Sequence, residues 1–123
     1  MSPTGPAETV RAINEAWAAG DFETAVGHIA PHSLDQGQEV SREDWLAKWR
    51  GIVAGVPDFA MTSLHSIESG EWVAHRYRFT GTHTGDFFGQ PPTGKTFEVS
   101  GMEMVRVVDG LLVEHWVYAE PFI

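Results

Sequence analysis

Two long strand-like runs, Thr96–Val108 and Leu111–Tyr118, meet at Asp109-Gly110. Asp-Gly between such runs is the strongest short-range hairpin signal, because both central positions of the tight turn want positive φ. The hairpin commits this half of the chain to antiparallel sheet. Any fold must then bury one face of it. Upstream, Gly81-Thr82-His83-Thr84-Gly85 ends an earlier strand and opens a loop rich in Gly and Pro.

That loop contains a decoy. Gly89-Gln90-Pro91-Pro92-Thr93-Gly94-Lys95-Thr96 matches the phosphate-loop pattern letter for letter. The motif requires a strand before it, a helix after it and loop amides aimed at phosphate. Pro91 and Pro92 remove two of those donors, and Phe97-Glu98-Val99-Ser100 reads as strand. We read the segment as a rigid loop between strands.

The N-terminal half reads as helix. Met1–Pro6 is a lead-in. Val10, Ile13, Ala16 and Trp17 recur at helical spacing within Ala7–Gly20, and Gly20 is a stop. Asp21 caps a second helix from Phe22 to Ile29, ended by Pro31. Ser33–Gln38 holds a short strand or an extended link. Ser41-Arg42-Glu43-Asp44 resembles a capping box, with a third helix over Trp45–Val53. Then come strands at Phe59–Glu68 and Glu71–Thr82, turned at Ser69-Gly70. In the second, Val73, His75, Tyr77 and Phe79 share one parity, and Arg76 and Arg78 the other, so the first set faces inward. Three helices before four antiparallel strands predict an α+β fold. The helices cover one face of a curved sheet, and the cone they leave has a mouth suited to a small molecule. No repeat or boundary divides residues 1–123, so we expect a single domain.

Composition narrows the function. With 8 Lys+Arg against 17 Asp+Glu, a formal net charge of −9 disfavours nucleic acid and anionic membrane. No apolar run reaches the ~18 residues of a spanning helix. The first residues lack the features of a signal peptide, and no cysteine is present for disulfides or thiol chemistry. A cytoplasmic protein is the expectation.

Gly81–Gly85, Pro92-Thr93-Gly94-Lys95 and Arg106-Val107-Val108-Asp109-Gly110-Leu111-Leu112-Val113-Glu114-His115-Trp116 together carry a resemblance. The chain resembles the SnoaL-like polyketide cyclases of the nuclear transport factor 2-like superfold, over Glu8 to Glu120. The resemblance implies a conical α+β barrel, a deep apolar pocket and a homodimer through the outer sheet face. It implies aldol cyclisation without metal or cofactor, using an acidic residue shortly after the His-Trp pair. In this chain that place is Glu120. Val117 and Gln36 stand where members commonly carry aspartate and histidine.

Such chemistry needs a base for a proton α to a carbonyl and a donor for the enolate. Strand parity puts Glu114, Trp116, Tyr118 and Glu120 on one face, and Val113, His115, Val117 and Ala119 on the other. Glu120 reads as the base, or as a solvated carboxylate near the C-terminus. His115 and His83 read as catalytic donors or as ordinary sheet and loop residues. Tyr77, Trp116, Tyr118, Asp35, Gln36 and Trp49 are the expected substrate contacts; Trp17, Trp45 and Trp49 also suit a core. His28 and His32 have metal-ligand spacing, but Pro31 interrupts the helix that would align them, so no metal is expected. Three functions stay open: a cyclase or isomerase, a non-catalytic binder or dimerisation module, and an epoxide hydrolase-like enzyme using an inward Asp35/Glu120 pair.

Overall fold

A computed structural model describes residues 5–121; the first four residues of the lead-in lie outside it. Helix α1 spans Pro6–Ala18, with proline in its first turn, where its missing N–H removes nothing. Helix α2 is shorter than the sequence suggests, Phe22–Val26, and Asp21 caps it through the Thr24 amide at 3.1 Å. Helix α3, Arg42–Gly55, starts at a full capping box. Asp44 N donates to Ser41 Oγ at 3.2 Å, and Ser41 N to Asp44 Oδ2 at 2.8 Å.

Two strands precede α3: β1, Ile29–Asp35, and β2, Gln38–Ser41. Four more follow: β3, Ala60–Ser69; β4, Trp72–Thr82; β5, Thr96–Val108; and β6, Leu111–Ala119. The last turn has the expected geometry, with φ of 53° at Asp109 and 78° at Gly110. The loop resembling a phosphate loop leads into β5 and not into a helix.

The sheet runs β2-β1-β6-β5-β4-β3. All pairs are antiparallel except β1 with β6, which is parallel. Sequence periodicity gives the four-strand meander but not the β1–β2 hairpin. Pro31 stands inside β1 and does not merely end a helix. The short strand or extended link expected at Ser33–Gln38 is realised in part as β1, which starts earlier, at Ile29. Its partner β6 is distant in sequence, so its pairing is a tertiary event. The sheet does not close into a barrel; β2 and β3 are its edges.

Helices and sheet enclose one core containing Val10, Ile13, Val26, Ile29, Trp45, Leu46, Trp49, Val73, Val105, Val107 and Leu112. Full burial of an aliphatic side chain of this kind contributes about 1.5–3 kcal/mol. Val73, His75, Tyr77 and Phe79 face inward as their parity requires. Trp17 packs at the edge of the same core.

Candidate active site

The core is hollow on one side. A cavity of about 310 Å³ lies between the sheet and helices α1 and α3. Trp17, Trp45, Trp49, Phe59, Phe79 and Phe87 give it broad aromatic walls, and its polar lining is limited to Asn14, Lys48, Tyr77, Glu103 and His115.

Strand register brings the polar groups together. Inward positions of β5 are Gly101, Glu103, Val105 and Val107, and their inward partners on β6 include His115, Val117 and Ala119. His115 lies between two carboxylates. Its Nδ1 is 3.0 Å from Asp35 Oδ1, and its Nε2 is 2.9 Å from Glu103 Oε2. Asp35 reaches it from the end of β1, because the parallel β1–β6 pairing sets Asp35 beside His115. With an acceptor on each ring nitrogen, only the doubly protonated imidazole donates to both.

The chain of contacts extends outward at both ends. Lys48 Nζ donates to Asp35 Oδ2 at 2.8 Å and sits 4.9 Å over the Trp45 ring. Tyr77 donates its hydroxyl to Glu103 Oε1 and accepts from Asn14 Nδ2 at 3.0 Å. Trp45 and the His115 ring pack in a T-shape with centroids 5.3 Å apart, and Trp45 Nε1 is fixed by Ser33 Oγ at 2.9 Å. The cluster therefore holds two anions, Asp35 and Glu103, and two cations, His115 and Lys48.

Side-chain exposure is only 11% for His115, 12% for Glu103 and 15% for Asp35, so each charge depends on its partners. Burial opposes the charge on His115, but hydrogen bonds to Asp35 and Glu103 outweigh it and raise its pKa. Burial likewise pushes Glu103 up, yet bonding to His115 and Tyr77 brings it below the usual range. In Asp35, bonds from His115 and Lys48 overcome burial and lower the carboxyl. Tyr77 is driven upward by burial and by the Glu103 charge, and stays a neutral donor.

Other expected residues lie elsewhere. Tyr118 and Trp116 do not line the cavity, because β6 presents them to the outer face, and Glu120, just past the end of β6, does not line it either. Glu120 Oε1 accepts from Ser100 N at 2.8 Å, Tyr118 is 68% exposed, and Trp116 Nε1 donates to Glu114. The pair Asp35/Glu120 is thus not an inward pair; the inward carboxylate opposite Asp35 is Glu103. Gln36 clasps the Val117 backbone through both amide atoms, at 2.5 and 3.3 Å, and ties β1 to β6. His83 is buried behind the loop, with Nδ1 3.1 Å from Thr93 Oγ1. Trp49 is both core and cavity wall. His28 lies in a turn and His32 in β1, and no group of acidic and histidine side chains among the described residues is placed to hold a metal.

Glu103, Asn14 and Lys48 join the site without having been singled out in the sequence. Glu103 had a signal. It is the one charge among Phe97, Val99, Gly101, Val105 and Val107, an otherwise apolar parity. Asn14 likewise interrupts the Val10, Ile13 and Trp17 stripe of α1.

Comparison with known proteins agrees with this architecture. The sequence profile of the SnoaL-like polyketide cyclases matches residues 7–121. The chain is similar to the crystal structure of IdmH from Streptomyces antibioticus, at 35% identity and a TM-score of 0.82, over 95% of this chain and 93% of that one. It is similar to AclR from Streptomyces galilaeus at 28% identity and a TM-score of 0.79, over 94% and 88%. A shorter stretch of 48 residues is 35% identical to the aklanonic acid methyl ester cyclase DnrD of Streptomyces peucetius. That stretch covers 39% of this chain and 33% of the relative, so the match spans about a third of its length. With its profile match running almost end to end, the chain belongs to the SnoaL-like polyketide cyclase family.

Proposed function

We propose that this protein closes a ring in an apolar, ring-bearing carbonyl compound by intramolecular aldol addition, with Glu103 as base and His115 as acid. The observation that carries this reading is the Asp35–His115–Glu103 chain, whose His115 and Glu103 line an aromatic cavity. Glu103 takes a proton from the carbon α to one carbonyl. The resulting enolate carbon forms a bond to the second carbonyl carbon, whose oxygen becomes an alkoxide. Once Glu103 is protonated, it no longer accepts from His115 Nε2, and that N–H is released to protonate the alkoxide. Glu103 then returns its proton to His115, and the cycle closes without an external proton. Asp35 holds the imidazole through Nδ1 and steadies its charge, while Tyr77 and Asn14 orient Glu103.

A carboxylate with a lowered pKa is a weak base. It suits a C–H made acidic by two flanking carbonyls, and that is the substrate class we assign. The methyl ester of aklanonic acid, acted on by the related cyclase, is the first compound to try.

A second reading, addition of water to an epoxide, is favoured by one feature: two carboxylates bracketing a buried cation, with Tyr77 and Asn14 alongside. Mass spectrometry separates the two. Aldol closure gives a product isomeric with its substrate, with no water added. Water addition increases the mass by one water and takes up ¹⁸O from labelled solvent. An Asp35→Asn variant should bind substrate but turn over ~10²-fold more slowly, as loss of an orienting group for acid–base chemistry does. Unchanged turnover in that variant removes His115 from the mechanism.

We extend the proposal to a homodimer through the outer sheet face. Met102, Met104, Tyr118 and Ile67 are all about half exposed or more there, an apolar patch of the kind that marks an interface.

A further inference from the structure

The segment between β4 and β5 has a feature that neither the turn nor the core explains. Phe87 and Gln90 exchange both backbone hydrogen bonds at 3.0 Å, so Phe88-Gly89 form a two-residue hairpin turn. Both central residues have positive φ, 50° at Phe88 and 90° at Gly89. Such turns select Asn-Gly or Asp-Gly, and a bulky side chain at the first position is disfavoured. Strain of this kind persists where surrounding contacts impose it, often at a ligand clamp.

Those contacts lie on α3 and on the cavity. Phe87 and Phe88 both line the cavity, with rings edge to face at 4.9 Å. Each is seated against a glycine of α3. A Cβ on Gly51 would stand 2.6 Å from the Phe88 ring, and one on Gly55 would stand 2.7 Å from the Phe87 side chain. Glycine inside a helix is itself unfavourable. The sequence thus makes two local concessions, in the turn and in the helix, for one aromatic placement. The base of the loop is fixed: Thr84 N and Gly85 N both donate to Gly55 O, and His83 exchanges backbone bonds with Lys95 and Gly94. Phe88 meanwhile remains 60% exposed, although it borders the cavity.

We propose that Phe88 is a specificity-determining gate residue, which lays its ring over flat polycyclic ligands in the cavity and slows their release. The proposal rests on the reading of the cavity as a small-molecule site.

The test uses 1,8-dihydroxyanthraquinone as a tricyclic probe and 1-naphthol as a bicyclic one. Binding is followed by quenching of tryptophan fluorescence, and release by stopped-flow displacement. Phe88→Asn suits the turn and removes the ring; Phe88→Leu keeps an apolar contact without the flat face. Phe88→Asn is expected to melt at or above the wild-type temperature. The tricyclic probe should leave both variants ~10-fold faster, the loss expected for one aromatic contact, with 1-naphthol release changed less than ~2-fold. Equal tricyclic release from wild type and both variants overturns the gate while leaving the site. Lower melting of Phe88→Asn with unchanged release makes the ring a packing element only. Absence of quenching in the wild type sinks the cavity reading itself, and the gate with it.

Discussion

Glu103 and His115 stand 2.9 Å apart across neighbouring strands, and each makes the other's charge tenable away from water. Burial alone would push the carboxyl up and the imidazole down. Their contact, with Asp35 on the other ring nitrogen, reverses both shifts. A charged acid and a charged base therefore meet in one apolar cavity, which is the condition for an internal proton cycle.

Replacing Glu103 by Gln keeps the shape and removes the basic oxygen. Turnover of the ring-closing substrate is expected to fall at least ~100-fold, as for loss of a general base, while binding of an apolar probe persists. Steady-state kinetics and fluorescence quenching measure the two separately. Full activity in Glu103→Gln would move the base elsewhere.

Glu120→Gln supplies the contrast. Glu120 lies outside the cavity and accepts from Ser100 N. Its replacement is expected to leave turnover within ~2-fold and stability within about 0.5 kcal/mol, as for a surface substitution. A large loss of turnover would restore Glu120 as the base.

Histidine titration should divide by environment. His115 is shifted up from 6.5 against the opposing effect of burial, whereas His75 is shifted down, first by burial. NMR of the imidazoles should find His115 still charged above pH 6.5 and His75 still neutral below it. The two stability contributions depend on pH in opposite directions. That of His115 is fully present below pH 6.5 and is lost as pH rises through its folded value. That of His75 is present above pH 6.5 and is lost as pH falls through its folded value. A His115→Gln variant should therefore lose less stability on raising the pH than the wild type does. Parallel pH curves would mean that the imidazole is not held charged.

Gly85 tests the loop anchor. An alanine Cβ there would fall 2.0 Å from Ala54 O, a backbone atom. Gly85→Ala is expected to destabilise by about 2 kcal/mol, the usual scale of overpacking, as read by urea denaturation. An unchanged midpoint would show that the loop and α3 separate readily.

The outer face predicts assembly. Light scattering should give twice the chain mass for the wild type, and one chain mass for a Met104→Glu, Tyr118→Lys double variant with intact secondary structure. A wild-type monomer at micromolar concentration would reassign the exposed Met102, Met104 and Tyr118.

Local sequence determined the parts whose causes are local. Asp109-Gly110 set the hairpin, Ser41 and Asp44 the start of α3, and alternation the inward set Val73, His75, Tyr77 and Phe79. Family motifs added the architecture. Alternation also separated the faces of β6, but could not say which face was inner, because each carries an ionisable residue suited to a site. Tertiary structure decided that: pairing with β5 turned His115 inward and Trp116 and Tyr118 outward, and Glu120 past the strand end is held by Ser100 outside the cavity. The same holds for Asp35, which reaches His115 only through a parallel pairing between strands 80 positions apart. A buried charge is legible in sequence as an oddity, as Glu103 is on its apolar parity. Its partners are not, since what stabilises it arrives from other strands and helices when the chain packs.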